Sequence, residues 1–416
     1  MKLTLILTLA LFAAHAFAAQ SFAATPAELA VRQAAGNIEK QPTHYPHYNA
    51  LAMAYARRAR ETSDIQFYAE AEEALRKSFA IAPNNFEALK VEAFLQLERH
   101  EYARALDSAT KLNKAMPDDV SIYGYLVDAN AELGNYKEAI AAAQWMLDLR
   151  PGNVGGLIHA AYLREVHGKL VGALDLMQTA YQSTPPSETE DRAWMLAQMS
   201  HLELLTGDLA KAESYANSAL AVFPDYHRAL AALAQVRMAQ GRQADAVLLF
   251  NQRYAAAPHT ENLYALAEAQ ELAGRREDAQ ASFRAFEGKS LAESELPDNS
   301  NRELIAYYVD RAHQPAKALA IARREIAYRH DVFTLDSYAW ALAANGEYAE
   351  ANRQLQTALA VGVKDQTILF HAGSIALRLH LNDKAEEYLT DAAARHSRDA
   401  ANLLAEMRGE APAGER

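Results

Sequence analysis

The chain has 416 residues, 50 % of them apolar, no cysteine and a formal net charge of −12. The lack of cysteine excludes structural disulfides and any anchor built on an acylated cysteine. The acidic balance, with no basic cluster interleaved with aromatics, speaks against nucleic acid or an anionic membrane as an electrostatic partner.

The amino terminus reads MKLTLILTLALFAAHAFAAQSFAATP. One lysine, an apolar run, and small residues at Ala16-Phe17-Ala18 and Ser21-Phe22-Ala23 have the form of a secretory signal peptide over residues 1–23. The expectation is export, to the periplasm or outside the cell, with membrane attachment only if this segment stays uncleaved. No other run approaches the length of a membrane span. Residues 24–44 then predict a lone helix that caps the rest of the chain.

From residue 45 onward the sequence is periodic. Ala71, Ala105, Ala139, Ala173, Ala212, Ala246, Ala279, Ala318, Ala351 and Ala385 mostly stand 33 or 34 residues apart, and Pro83, Pro117, Pro151 and Pro185 fall at intervals of 34. A fixed period of this length marks a helical solenoid. Residues 120–151 display one unit. Tyr123, Leu126, Val127 and Ala131 carry helical spacing, Gly134-Asn135 interrupts it, and Tyr136, Ala139, Ala143 and Met146 carry a second helix up to Pro151. Glycine at the interruption allows the left-handed backbone that ends a helix. His100 and His380 stand in its place in two units, which predicts strained or differently shaped turns there. Small residues such as Ala93, Ala161, Ser200 and Gly373 in first helices face the periodic alanines of second helices, so that the two axes approach closely.

Three slips break the phase: seven extra residues around Arg57–Ser63, five near Pro186–Glu190, and the polar stretch Gly288–Arg302. Insertions in solenoids are expected in loops. The last is read as a joint, residues 288–302, between a seven-unit array over 45–287 and a three-unit array over 303–397 (its first unit counted from 299). Residues 398–416 predict a closing helix and a disordered tail.

With these residues in place the chain resembles the tetratricopeptide repeat family. That family's pattern has a small residue at the eighth place, glycine near the fifteenth, alanine at the twentieth and proline at the thirty-second. Units fitting it start near Tyr45, Phe86, Val120, Val154, Ala193, His227, Thr260, Asn299, Val332 and Gln366. The resemblance implies an all-α, right-handed superhelical solenoid of about ten helix-turn-helix repeats between capping helices. It also implies that first helices line a concave groove. The groove places here hold Lys90, Phe94, Glu98, Tyr125, Asp128, Glu132, His159, Tyr162, Glu165, Trp194, His201, Phe333, Trp340 and Phe370. The lysine, arginine and asparagine cluster with which some members clamp a peptide carboxylate is not reproduced.

No catalytic constellation emerges. There is no phosphate-cradling glycine loop, no dinucleotide fingerprint and no zinc-protease motif. Ser108-Ala109-Thr110-Lys111 matches a serine–lysine spacing without its partner motifs and falls inside a repeat helix. The expectation is a protein without enzymatic activity, cofactor or metal. It would be a scaffold or adaptor of the cell envelope, holding a protein or peptide segment in its groove. Glutamates and aspartates among aromatics there favour a basic or aromatic segment. The alternative is a polysaccharide-binding component of a secretion system, with Trp194, Trp340 and Tyr162 stacking on sugar rings.

Overall fold

The computed structural model describes residues 24–296 and 298–410. The signal-peptide reading of residues 1–23 and the end of the tail, 411–416, lie outside the described residues. Among those described there are 22 α-helices, one π-helical turn (Tyr307–Arg311) and no strand. Pro26–Lys40 is the leading cap, opened by a reciprocal capping box between Thr25 and Glu28. Ten helical hairpins come next, and Arg398–Arg408 closes the stack.

Local sequence explains the hairpins. First helices begin at Tyr45, Phe86, Val120, Val154, Thr189, His227, Thr260, Asn301, Val332 and Gln366. Asn85, Asp119, Asn153, Asp331 and Asp365 cap five of them through their side chains. The turn inside each hairpin uses one left-handed residue. It is glycine in six units and Ser63, His100, His313 or His380 in the other four, with φ between 52° and 58°. The histidine turns therefore keep the glycine shape and carry its strain rather than adopting another. The paired small residues are buried as the spacing required: Ala93, Ala105, Ala139 and Ala173 have no exposed surface. A Cβ on Gly373 would stand 2.5 Å from Leu389 Cγ.

The phase slips lie largely in helix extensions: Tyr45–Thr62, Thr189–Thr206 and Arg276–Glu293 have 18 residues, against 13 or 14 in most others. Pro186–Glu188 of the second slip and the segment between Glu293 and Asn301 of the third remain outside helices. The inserted residues are helix formers with no proline or glycine to stop them around 57–62. Past the third extension, Ser290 and Ser300 hydroxyls bond at 2.8 Å and Asn301 donates to the Ser294 carbonyl at 2.9 Å. One apolar cluster runs through this segment, with members from Val127 to Ile375.

The solenoid also touches itself. In unit 1 the Ser63 carbonyl accepts from His259 at the head of unit 7. In unit 2, His100 approaches Asp298, just ahead of unit 8, at 3.5 Å. In unit 3, the Glu132 carboxylate accepts from Arg329 at 2.6 Å and its carbonyl from His330 N–H at 3.0 Å, both at the head of unit 9. In unit 4, Gly168 lies against the Gly362 carbonyl ahead of unit 10. In unit 5, the Leu205 carbonyl accepts from Arg395 at 2.6 Å, just before the closing helix. The step is six units each time, so successive turns of the superhelix rest on one another along a seam.

Candidate binding groove

Successive first helices meet along one wall, and the side chains at the groove places are tied across that boundary. Lys90 in unit 2 bonds Asp119, ahead of unit 3, at 2.6 Å. The Phe94 and Tyr125 rings lie 6.1 Å apart. Asp128 reaches His159 at 3.1 Å, Glu165 reaches His201 at 3.0 Å, and Asp336 reaches His371 at 2.9 Å. Three carboxylate–imidazole bridges therefore stitch units 3 to 4, 4 to 5 and 9 to 10. Burial opposes the imidazolium in each, but the facing carboxylate outweighs it, so all three histidines titrate above their usual range.

The other groove places differ in setting. Glu98 accepts from the Tyr68 hydroxyl at 2.8 Å, and Glu132 is held by Arg329. Burial pushes both carboxyls up, against the pull of the Tyr68 hydrogen bond and Arg60 at Glu98 and of Arg329 at Glu132. Tyr125 and Tyr162 are half-buried phenols whose pKa burial raises, helped by nearby carboxylates. Trp194 packs at the edge of a core cluster made mainly from units 4 and 5. Phe333 lies under the Arg302 guanidinium at 5.9 Å. Trp340 donates its indole N–H to Asp310 at 2.8 Å and stacks on His371 at 4.0 Å, with Phe370 6.1 Å away.

The spacing of the repeats gave no sign of a crevice of about 790 Å³ on the seam, where units 1 and 2 face units 7 and 8. Five carboxylates line it, from Asp64, Glu72, Glu261, Glu293 and Asp298, and Arg99 among them is already paired with Glu72. The one available signal was length: two of the three helix extensions end at this crevice, at Thr62 and Glu293. Among the described residues no cluster of three or more histidines and acids is arranged to hold a metal ion. No helix there is long and apolar enough to cross a membrane.

A stack of helical hairpins with small residues at each hairpin contact and first helices lining one wall defines an α-solenoid built for interaction. The profile of the tetratricopeptide repeat family matches residues 89–154, 199–260 and 339–402. The chain carries tetratricopeptide repeats in these three regions, and the same helical hairpin recurs between them. Among solved structures it is similar to the human IFIT1 dimer with m7Gppp-AAAA, at 13 % identity and a TM-score of 0.52, covering 87 % of this chain and 84 % of that one. That likeness is one of fold. PilW, a type IV pilus biogenesis factor, matches at 16 % identity and a TM-score of 0.42, over 50 % of this chain and 92 % of its own. MamA matches at 19 % identity and a TM-score of 0.33, over 43 % of this chain and 96 % of its own. No curated protein matches by sequence.

Proposed function

We propose that the protein is a non-catalytic interaction scaffold or adaptor of the cell envelope that holds an extended, lysine- or arginine-bearing protein segment in its groove. Tetratricopeptide arrays typically bind protein or peptide partners without chemistry of their own. The observation that carries the finer reading is the coincidence of half-buried aromatics (Phe94, Tyr125, Tyr162) with carboxylates (Glu98, Asp128, Glu132, Glu165) on one wall, beside a seam crevice with five more carboxylates. Each of the four wall carboxylates is bonded to a neighbouring side chain through part of its acceptor capacity. Aromatic anchors give affinity, and the surrounding charges set sign, rate and salt dependence. A polysaccharide would need free flat rings. Trp340 already gives one face to His371 and its N–H to Asp310, and Trp194 is packed against the core.

Anisotropy with labelled extended peptides tests this reading. A lysine/arginine–aromatic peptide should bind, weaken with salt, and lose about 30-fold in affinity in Tyr125→Ala/Tyr162→Ala, corresponding to about 2 kcal/mol. Helix content should stay unchanged in that variant. Binding of acidic peptides or oligosaccharides in preference to the basic peptide would overturn the reading.

A further inference from the structure

We propose that two of the helix extensions, residues 57–63 and 188–192, form an ionic latch. It ties unit 1 to unit 5, four units on, and releases the amino-terminal units when its charges are screened. Two of the three departures from the repeat length meet each other. Arg57 pairs with Glu188 at 2.5 Å and lies 3.8 Å from Asp191, and Arg60 pairs with Glu190 at 3.2 Å and Asp191 at 3.3 Å. The same helix end is held from two further units. The His227 imidazole meets the Ser63 hydroxyl at 3.1 Å and the Arg60 carbonyl at 3.3 Å, and His259 meets the Ser63 carbonyl. Glu190 is 2 % exposed and also accepts from the Tyr226 hydroxyl at 2.8 Å.

This end of the seam differs from the rest. At units 3 and 9, Tyr136 and Val332 belong to one apolar cluster and are joined by a 3.1 Å bond from Val332 N–H to the Tyr136 hydroxyl. At units 4 and 10, glycine backbones are in contact. The Tyr136–Val332 and glycine contacts are indifferent to salt. The Arg329–Glu132 pair at units 3 and 9 sits deeper, with side chains 9 % and 24 % exposed, than Arg57, Arg60, Glu188 and Asp191 at 23–37 %, so it is screened less. The latch rests on two arginines and three carboxylates, whose attraction falls with ionic strength. Arg57 and Arg60 each also bury an Nε atom with no acceptor. That unmet donor costs free energy and offsets part of the pairing. Units 1 and 2 are thus the part of the superhelix poised to swing away while units 3 and 4 stay docked.

The chain lacks cysteine, so paired spin labels read the gap directly. One pair, Ile65→Cys with Leu296→Cys, uses two exposed residues that face each other across the seam crevice. A control pair, Lys169→Cys with Lys364→Cys, spans the glycine contact of units 4 and 10. On raising salt from about 0.05 M to about 1 M, the first distance should lengthen by about 10 Å, one helix diameter, and the control should stay fixed. Arg57→Glu/Arg60→Glu should lengthen the first distance at low salt, and adding Glu188→Lys/Asp191→Lys should restore it. If the charge variant loses helix content, the salt titration of the labelled protein with its natural latch decides alone. A first distance that ignores salt overturns the latch, and so does a control that lengthens in step with it.

Discussion

Replacing Gly134 and Gly274 with alanine, one at a time, isolates the worth of the seam. The two glycines occupy the same place in the turns of units 3 and 7 and share one backbone conformation, with φ of 76° and 75°. Alanine in that left-handed conformation costs about 1–2 kcal/mol at either site. The surroundings differ. A Cβ on Gly134 would stand 2.7 Å from the His330 carbonyl oxygen and 3.1 Å from its Cβ, whereas Gly274 has nothing within 4 Å. Unit 7 has no later turn lying on it. Displacing unit 9 at the seam should add an overpacking cost of about 1–3 kcal/mol. Gly134→Ala should thus lose about 2–5 kcal/mol in all and Gly274→Ala about 1–2. Urea unfolding monitored by circular dichroism reads both, and the difference between the two midpoints is the seam term. Equal midpoints would refute the claim that successive turns rest on one another in solution.

Two further measurements probe the hairpin contacts and the histidines. Ala139 is fully buried at a hairpin contact, so Ala139→Leu should cost about 1–3 kcal/mol, while Glu138→Ala, on an exposed position of the same helix, should stay within about 0.5 kcal/mol; thermal melts compare them. The histidines should shape both limbs of the stability–pH curve. His159, His201 and His371 have folded values above the unfolded one, so their contribution is complete below about pH 6.5 and is lost as pH rises through the folded values. Burial, reinforced by Arg228, lowers His227 to about 3, so its contribution is complete above about pH 6.5 and is lost as pH falls toward 3. Melting temperature against pH should flatten on the alkaline side in His371→Gln and on the acid side in His227→Gln; the reverse assignment would show that the pairing partners are wrong.

The repeat was legible because its marks are local. A small residue facing an alanine, a left-handed turn and a helix-ending proline all act within one unit, and eight of the ten first helices begin where the period placed them. The extensions pass for loops only when the rule for solenoids outranks the residues themselves: Ala56 to Thr62 contains nothing that stops a helix. The groove residues could be placed by unit position, but not their partners. Asp128–His159 and Asp336–His371 are 31 and 35 residues apart, and nothing short of the helix crossing decides which rotamers meet. The seam was out of reach altogether. The period fixes how one unit lies on the next, and small differences in that angle, summed over six units, decide whether a turn returns to touch its start.

That return changes the order in which the chain can become itself. Neighbouring units meet across about one repeat length, but these long-range contacts join residues 130 to 198 apart. At a synthesis rate of about 5–20 residues per second, His259 emerges about 10–40 s after Ser63. Until Glu188 emerges, units 1 to 4 stand as a one-dimensional pile, each resting only on its neighbours. Arg57 and Arg60 meet Glu188, Glu190 and Asp191 before the rest of the seam is made, so closure starts at the amino-terminal end and runs toward the last unit. A chain halted before residue 259 would show every repeat made so far and lack the closed turn.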